Sequence, residues 1–93
     1  MKHGRTDANQ AALVSHIRRI PGALVIDLSG VGKGCPDILV GWRGNNILIE
    51  IKDGDKPPSK RKLTKQQEYL HANWTGQIAV VSTLDELWEV MGL

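Results

Sequence analysis

The sequence predicts a small α/β fold in which a mixed β-sheet is flanked by helices. Two short apolar runs are joined by a turn rich in Gly and Asn, which indicates a β-hairpin. A helix-spaced apolar stripe precedes the hairpin, and a further apolar run lies between two helical segments after it. The predicted order of elements is therefore α-β-β-β-α-β-α. Because the chain has 93 residues, we expect one domain over residues 1–93.

Composition and charge argue against several classes of protein. No apolar run is long enough to cross a membrane, and the N-terminus lacks the apolar core of a signal peptide. Cys35 is the one cysteine, so no internal disulfide can form and a reducing, cytoplasmic setting is expected. A net charge of +2 is too small to argue for nucleic-acid binding by itself. The placement of the charges is more informative than their sum.

The first helix is predicted to begin at Thr6 or Asp7 and to end near Ile20. Asp7 and Gln10 have the spacing of a capping box, so the simplest role of Asp7 is to cap this helix. A strand is predicted over residues 23–28, where apolar residues dominate. The helix and this strand thus lead the chain towards a glycine-rich loop.

The glycine-rich loop over residues 30–34 does not match a nucleotide-binding motif. The Walker spacing is missing, and no helix follows because Pro36 opens a strand instead. The glycines are better explained by a tight bend of the backbone before that strand. Lys33 in this loop either contacts a phosphate or is simply solvated.

The central feature of the sequence is the hairpin predicted over residues 34–52. Asp37 stands at the entrance of its first strand, and Glu50 near the exit of its second, so antiparallel pairing makes the two carboxylates neighbours. Lys52 lies two positions after Glu50 and therefore points to the same face. Neighbouring carboxylates repel unless a cation neutralises them, and Mg²⁺ accepts such oxygen ligands. Alternatively, Asp37 caps a turn, and Glu50 and Lys52 form a solvated strand end.

A basic loop and a capped helix follow the hairpin. The cations of the loop either contact a phosphate backbone or are solvated; they are Lys56, Lys60, Arg61 and Lys62. Thr64 and Gln67 predict a capping box for a helix that ends near Trp74. The predicted inward face of this helix consists of Gln67, Leu70, His71 and Trp74. A buried strand over residues 77–81 and a last helix capped by Thr83 complete the chain.

Together these motifs resemble the VRR-NUC family, the virus-type replication-repair nucleases of the PD-(D/E)XK superfamily. The resemblance covers the chain from about Asp7 to the last helix. It depends on four features in a fixed order: Gly34-x-Pro36-Asp37, Glu50-x-Lys52, the basic loop, and Leu63-Thr64-x-x-Gln67. It implies a restriction-endonuclease-like core and a small, stand-alone nuclease of phage or bacterial type.

The resemblance also implies an activity and roles for individual residues. It implies a Mg²⁺-dependent deoxyribonuclease in which Mn²⁺ can substitute. Asp37 and Glu50 would bind the metal together with the backbone carbonyl of Ile51, and Asp7 is an additional candidate. Lys52 would activate the attacking water, and Gln67 would lie at the active site, although it can equally serve the helix cap. Lys33 and the cations of the basic loop would contact DNA.

Branched DNA such as a Holliday junction is the implied substrate, in repair or a related process in a bacterial or phage-infected cell. We expect a homodimer, because two cuts in a junction of near-twofold symmetry need two sites. Candidate interface residues are exposed apolar residues such as Trp42, Trp74 or Trp88, and the sequence does not indicate which of them line the interface. Two other interpretations stay open: a DNA-binding module of the same fold without chemistry, and a structural protein whose acids are surface groups.

Overall fold

The computed structural model of the protein describes residues 8–93, so the predicted cap and candidate ligand Asp7 lies outside the described part. Helices and strands follow one another in the predicted order: α1 (Ala8–Arg18), β1 (Leu24–Asp27), β2 (Ile38–Trp42), β3 (Asn45–Ile51), α2 (Lys65–Asn73), β4 (Gln77–Val81) and α3 (Leu84–Met91). A short 3-10 turn, Pro58–Lys60, lies in the basic loop. The α/β class and the element order are confirmed.

The four strands form one mixed sheet in the order β1-β2-β3-β4. β1 pairs with β2 and β2 with β3 in antiparallel fashion, whereas β3 and β4 are parallel and are joined through α2. Arg43 and Gly44 connect β2 to β3, and both have positive φ values, 48° and 82°. Positive φ at both central residues matches the twist of a two-residue hairpin. β3, the strand of Glu50, is therefore flanked by a partner on each side.

The two faces of the sheet differ in what covers them. On one side, the core face, Ile38, Val40 and Ile49 are fully buried and pack with Ile17 of α1 and Leu87 of α3. The other side, called here the open face, carries the alternate side chains of the same strands, which include Leu24, Ile26, Leu39, Leu48 and Glu50. α2 crosses only part of the open face, and no residue of α2 is buried.

The prediction that β4 is a buried strand is wrong, and the predicted inward face of α2 is confirmed except at Trp74, because the sheet is only partly covered. β4 is an edge strand, and of its residues only Val81 is buried. On α2, Gln67, Leu70 and His71 are half-buried, and Trp74 is 47% exposed. The predicted inward face of α2 therefore points the right way but lies against a shallow surface.

The tryptophans differ in their suitability for an interface. Trp42 is 8% exposed and belongs to the core, so its prediction as an interface residue is wrong. Trp88 is half-buried and meets the ring of His16 edge-on, with 6.3 Å between ring centroids. Trp74 is the one of the three that stays exposed. Over residues 8–93, no helix has the length and apolar character needed to cross a membrane.

Candidate active site

The β2–β3 hairpin brings Asp37 and Glu50 together. The register pairs Ile38 with Ile49, so Asp37 and Glu50 are the next residues opposite each other. The Leu28 amide donates to the Asp37 carbonyl at 2.8 Å, which extends the β1–β2 ladder to this position. The Asp37 carboxylate accepts a hydrogen bond from the Ile51 amide, with 2.7 Å between Oδ2 and N. Backbone pairing on both sides thus fixes where this carboxylate lies.

Glu50 is a buried carboxylate with few hydrogen-bond donors around it. Its residue surface is 4% exposed, and its Oε1 atom has no hydrogen-bond partner among the described residues. Burial and the negative charge of Asp37 raise the pKa of Glu50 to about 7, against a smaller opposing effect of Lys52. The alternative of a solvated strand end is therefore wrong for Glu50. Burying a carboxylate costs free energy unless a partner compensates for the lost water. A buried carboxylate with a strongly raised pKa is typical of a functional site.

Lys52 and Gln67 complete a polar cluster around Glu50. The Lys52 ammonium lies 3.6 Å from Glu50 Oε2 and donates to Gln67 Oε1 at 3.0 Å. The Gln67 amide donates in turn to Glu50 Oε2 at 3.1 Å. The side chain of Lys52 is only 16% exposed, so its charge acts in a partly desolvated setting. The Gln67 side chain thus holds the Glu50 carboxylate and the Lys52 ammonium at a fixed separation.

The same glutamine also caps α2. The Thr64 amide donates to Gln67 Oε1 at 2.8 Å, and the Gln67 amide donates to Thr64 Oγ1 at 3.1 Å. The sequence left open whether Gln67 serves the cap or the site, and the structure shows contacts of both kinds. Since Oε1 accepts from Thr64 and from Lys52 at once, the start of α2 is tied directly to the end of β3.

Gly34 allows α2 to approach the loop that leads into β2. Its φ is +82°, and a Cβ atom there would lie 2.7 to 2.8 Å from the backbone and Cβ of Gln66. No side chain fits at such distances, so the Gly34 backbone lies directly against the first turn of α2. Gly32 also has a positive φ, +77°, but a Cβ atom at that position would meet nothing within 4 Å. Of these two glycines, only Gly34 is therefore required by a close approach.

Asn9 is a neighbour of the site that sequence reasoning missed. Its side-chain amide donates to the carbonyls of Lys52 at 2.8 Å and Ser82 at 3.1 Å. The last hydrogen bond between β3 and β4 runs from the Lys52 amide to the Val81 carbonyl. The two carbonyls bound by Asn9 come directly after that hydrogen bond, one at the end of each strand. Asn9 thus connects α1 to both strand ends. No local sequence signal indicates this role, because the contacts span 43 and 73 positions.

Two further side chains near the cluster have pKa shifts that favour their uncharged forms. Burial, and then the charge of Lys52, lower the pKa of His71, whose Nε2 atom is buried without a hydrogen-bond partner among the described residues. Burial, and then the charges of Glu50 and Asp37, raise the pKa of the Cys35 thiol. A thiol held in its protonated form is a poor nucleophile, which agrees with the structural role expected for Cys35.

The predicted DNA-binding cations lie in the loop before β2 and in the loop between β3 and α2. Lys33, Lys56, Lys60 and Lys62 are exposed, whereas Arg61 is half-buried and its Nε atom has no hydrogen-bond partner within residues 8–93. The basic loop leaves the end of β3 and enters the start of α2, so both of its ends adjoin the site. Lys33 has a φ of 58° and directly precedes Gly34.

The donor atoms present fit a Mg²⁺ ion. Residues 8–93 contain no group of three or more His, Cys, Asp and Glu side chains arranged to hold a metal. Mg²⁺ nevertheless often binds through one or two carboxylates and keeps water and phosphate oxygens as its other ligands. Asp37 and Glu50 would hold the ion, and the free Oε1 of Glu50 is a ligand atom that nothing else in this part of the chain engages. The Ile51 carbonyl stays a predicted additional ligand.

Comparison of the chain with protein-family models, with curated proteins and with solved structures gave no match. The geometry and electrostatics of the site are therefore what indicate a function for this protein.

Replacing Gly34 with Ala is expected to lower the free energy of unfolding by about 2 kcal/mol or more, because a left-handed φ and a backbone clash add. Gly32→Ala is the matched control, since it has a similar φ in open space and should lose about 1 kcal/mol. Urea unfolding of both variants measures the difference. Equal losses would show that the contact between Gly34 and Gln66 does not matter for stability.

Glu50 should make the metal-free protein less stable as the pH rises from about 5 to about 8. Its pKa is raised from 4.5 to about 7 on folding, so the folded state holds the proton more tightly and loses that advantage on deprotonation. Urea midpoints of wild type and Glu50→Gln in EDTA test this. The gap between them should shift in favour of the variant with rising pH, and a constant gap would contradict the raised pKa.

Proposed function

We propose that this protein is a metal-dependent DNA endonuclease with a PD-(D/E)XK-type core of the kind found in the VRR-NUC family. Its expected substrate is branched DNA such as a Holliday junction, cleaved by a homodimer. The observation that carries the proposal is the buried Glu50 carboxylate beside Asp37, with Lys52 and Gln67 in contact with it. A carboxylate pair with an adjacent lysine is suited to metal-assisted phosphodiester hydrolysis.

The topology is compatible with this proposal. An antiparallel hairpin supplies Asp37 and Glu50, and a parallel fourth strand follows a helix that covers the site. Such an arrangement leaves the carboxylates at one end of the open face, next to the basic loop. A DNA backbone would therefore approach the carboxylates from the open face and the basic loop, on the side away from the apolar core.

Each residue of the cluster has a distinct part in the proposed reaction. A bound Mg²⁺ would lower the pKa of water and polarise the phosphate. Asp37 and Glu50 would hold that ion, which requires Glu50 to lose its proton. Lys52 would place its charge beside the phosphate, where negative charge develops during attack. Gln67 would fix the positions of the Lys52 and Glu50 side chains relative to each other, since it hydrogen-bonds to both. The expected products carry 5′-phosphate and 3′-hydroxyl ends.

A DNA-binding module without chemistry is the second candidate. The exposed cations of the basic loop would serve either function equally well. That candidate gives no reason for a carboxylate as buried as Glu50 next to a second carboxylate, however. A purely structural role is disfavoured for the same reason, because two apolar residues would fill the same space at a lower cost.

Cleavage of a labelled four-way junction, a flap and a linear duplex in Mg²⁺, Mn²⁺ or EDTA tests the proposal. Glu50→Gln, Asp37→Asn and Lys52→Met should each lower the cleavage rate by about 100-fold or more, because charge stabilisation at the phosphate is lost. Glu68→Gln is the control, since it removes an exposed carboxylate of α2 next to Gln67. Undiminished cleavage by a purified, folded Glu50→Gln protein would overturn the proposal.

Removing exposed cations of the basic loop should weaken DNA binding irrespective of sequence. We expect Lys60→Gln with Lys62→Gln to reduce the slope of log Kd against log salt by about 1 to 2, one unit for each lost phosphate contact. Duplex binding in EDTA over a salt series measures that slope. The control is Arg18→Gln with Arg19→Gln, an equal charge change at the end of α1. An unchanged slope in the loop variant would show that the loop does not contact DNA.

A further inference from the structure

Within residues 8–93, no backbone group pairs with the outward-pointing amides and carbonyls at the outer edge of β1. The Leu28 amide donates a hydrogen bond to the Asp37 carbonyl. Because backbone groups alternate in direction along an antiparallel strand, the amides and carbonyls of Leu24 and Ile26 also face β2. The amides and carbonyls of Val25 and Asp27 therefore point away from the sheet. Among residues 8–93, no strand pairs with this edge.

The side chains of β1 on the open face are apolar and unusually exposed. Leu24 is 76% exposed and Ile26 is 56% exposed, although both lie in a regular strand. Edge strands are commonly protected by Lys, Pro, a bulge, short length or an inward-pointing charge. β1 has no Lys, Pro or bulge, and its protection is limited to its length of four residues and to Asp27. Its one charged residue, Asp27, lies on the core face. The edge therefore combines outward-pointing backbone groups with exposed apolar side chains, which indicates a partner.

DNA does not suit this edge as a partner. A phosphate backbone is bound chiefly through Lys and Arg, and residues 20–32 include neither. The flanking cations are Lys33 in the glycine-rich loop and Arg18 and Arg19 at the end of α1, which packs on the core face, so β1 itself supplies no cation. A strand with matching chemistry fits better, and an antiparallel pairing of β1 with itself supplies one. Such a contact is isologous, since the same surface is used on both sides of a twofold axis.

We propose that a second copy of this chain covers the edge, with the two β1 strands paired antiparallel about a twofold axis at Ile26. In this register Val25 of each copy lies opposite Asp27 of the other, so all four outward-pointing residues exchange hydrogen bonds. Ile26 lies opposite its own counterpart, and Leu24 lies opposite Leu28, which makes apolar cross-strand pairs on the open face. The product is one continuous eight-stranded sheet.

This interface deepens the proposed function but does not depend on it for its own test. An axis perpendicular to the sheet keeps both open faces on the same side, so both Asp37–Glu50 sites lie on that side. With strands about 4.8 Å apart and residues about 3.4 Å apart, the two sites are about 20 to 30 Å apart. If the protein is a nuclease, the dimer presents two symmetry-related sites to one branched DNA molecule.

Sedimentation velocity at about 1 to 100 µM protein tests the interface. The wild type should reach twice the 10.2 kDa chain mass, and Ile26→Lys should stay at 10.2 kDa. Leu93→Lys is the control, because Leu93 is 55% exposed, nearly the same as Ile26, but lies after α3. A monomeric wild type, or a dimeric Ile26→Lys protein, would overturn the proposal. Cleavage and the loss of cleavage in Glu50→Gln are measured separately, so neither result is decided by the other.

Cysteine cross-linking tests the register. In a Cys35→Ser background, Ile26→Cys should form a covalent dimer on mild oxidation, because directly opposite residues lie within disulfide range. Leu24→Cys should not, since the two copies of Leu24 are then about four residues apart along the strands. Leu24 is the more exposed of the two, so random collisions would favour its cross-linking. Equal cross-linking of both variants would overturn this register.

Discussion

The burial of Glu50 beside Asp37 is the constraint on which the rest of the structure depends. Both carboxylates are delivered by one hairpin, and neither could be removed from water without donors from other residues. Ile51 supplies an amide to Asp37, and Gln67 supplies an amide to Glu50. The start of α2 and the end of β3 are consequently held in one arrangement by polar contacts, while the apolar core lies on the opposite face.

Gln67 shows how one side chain can serve stability and chemistry together. Its carbonyl oxygen accepts from the Thr64 amide and from the Lys52 ammonium, while its amide group donates to Glu50. The capping box gives the first turn of α2 a fixed orientation, and that orientation is what places the amide at Glu50. The absence of a side chain at Gly34 is the complementary requirement, because it lets this turn lie against the loop before β2. Local helix energetics and site geometry thus cannot be separated here.

The incomplete cover of the sheet explains why the predicted burial of β4 and of Trp74 was wrong while the element order was confirmed. The sequence predicted β4 as a buried strand and α2 as a helix with an inward face, but periodicity did not show how little of the open face α2 would cover. Trp42 entered the core because it lies on the core face of β2, next to the hairpin turn. Leu24 and Ile26 stayed exposed because β1 is an edge strand on the side that α2 does not reach.

The sequence by itself determined the class of fold, the hairpin that makes Asp37 and Glu50 neighbours, and the capping box at Thr64. These features depend on strand alternation, on turn chemistry and on spacing within one helix turn, all of which are local. Tertiary structure decided the burial of Glu50, the link from Asn9 to the ends of β3 and β4, and the exposure of β1. These depend on contacts between distant segments, and no local pattern of residues specifies how much of a sheet face its helices will cover.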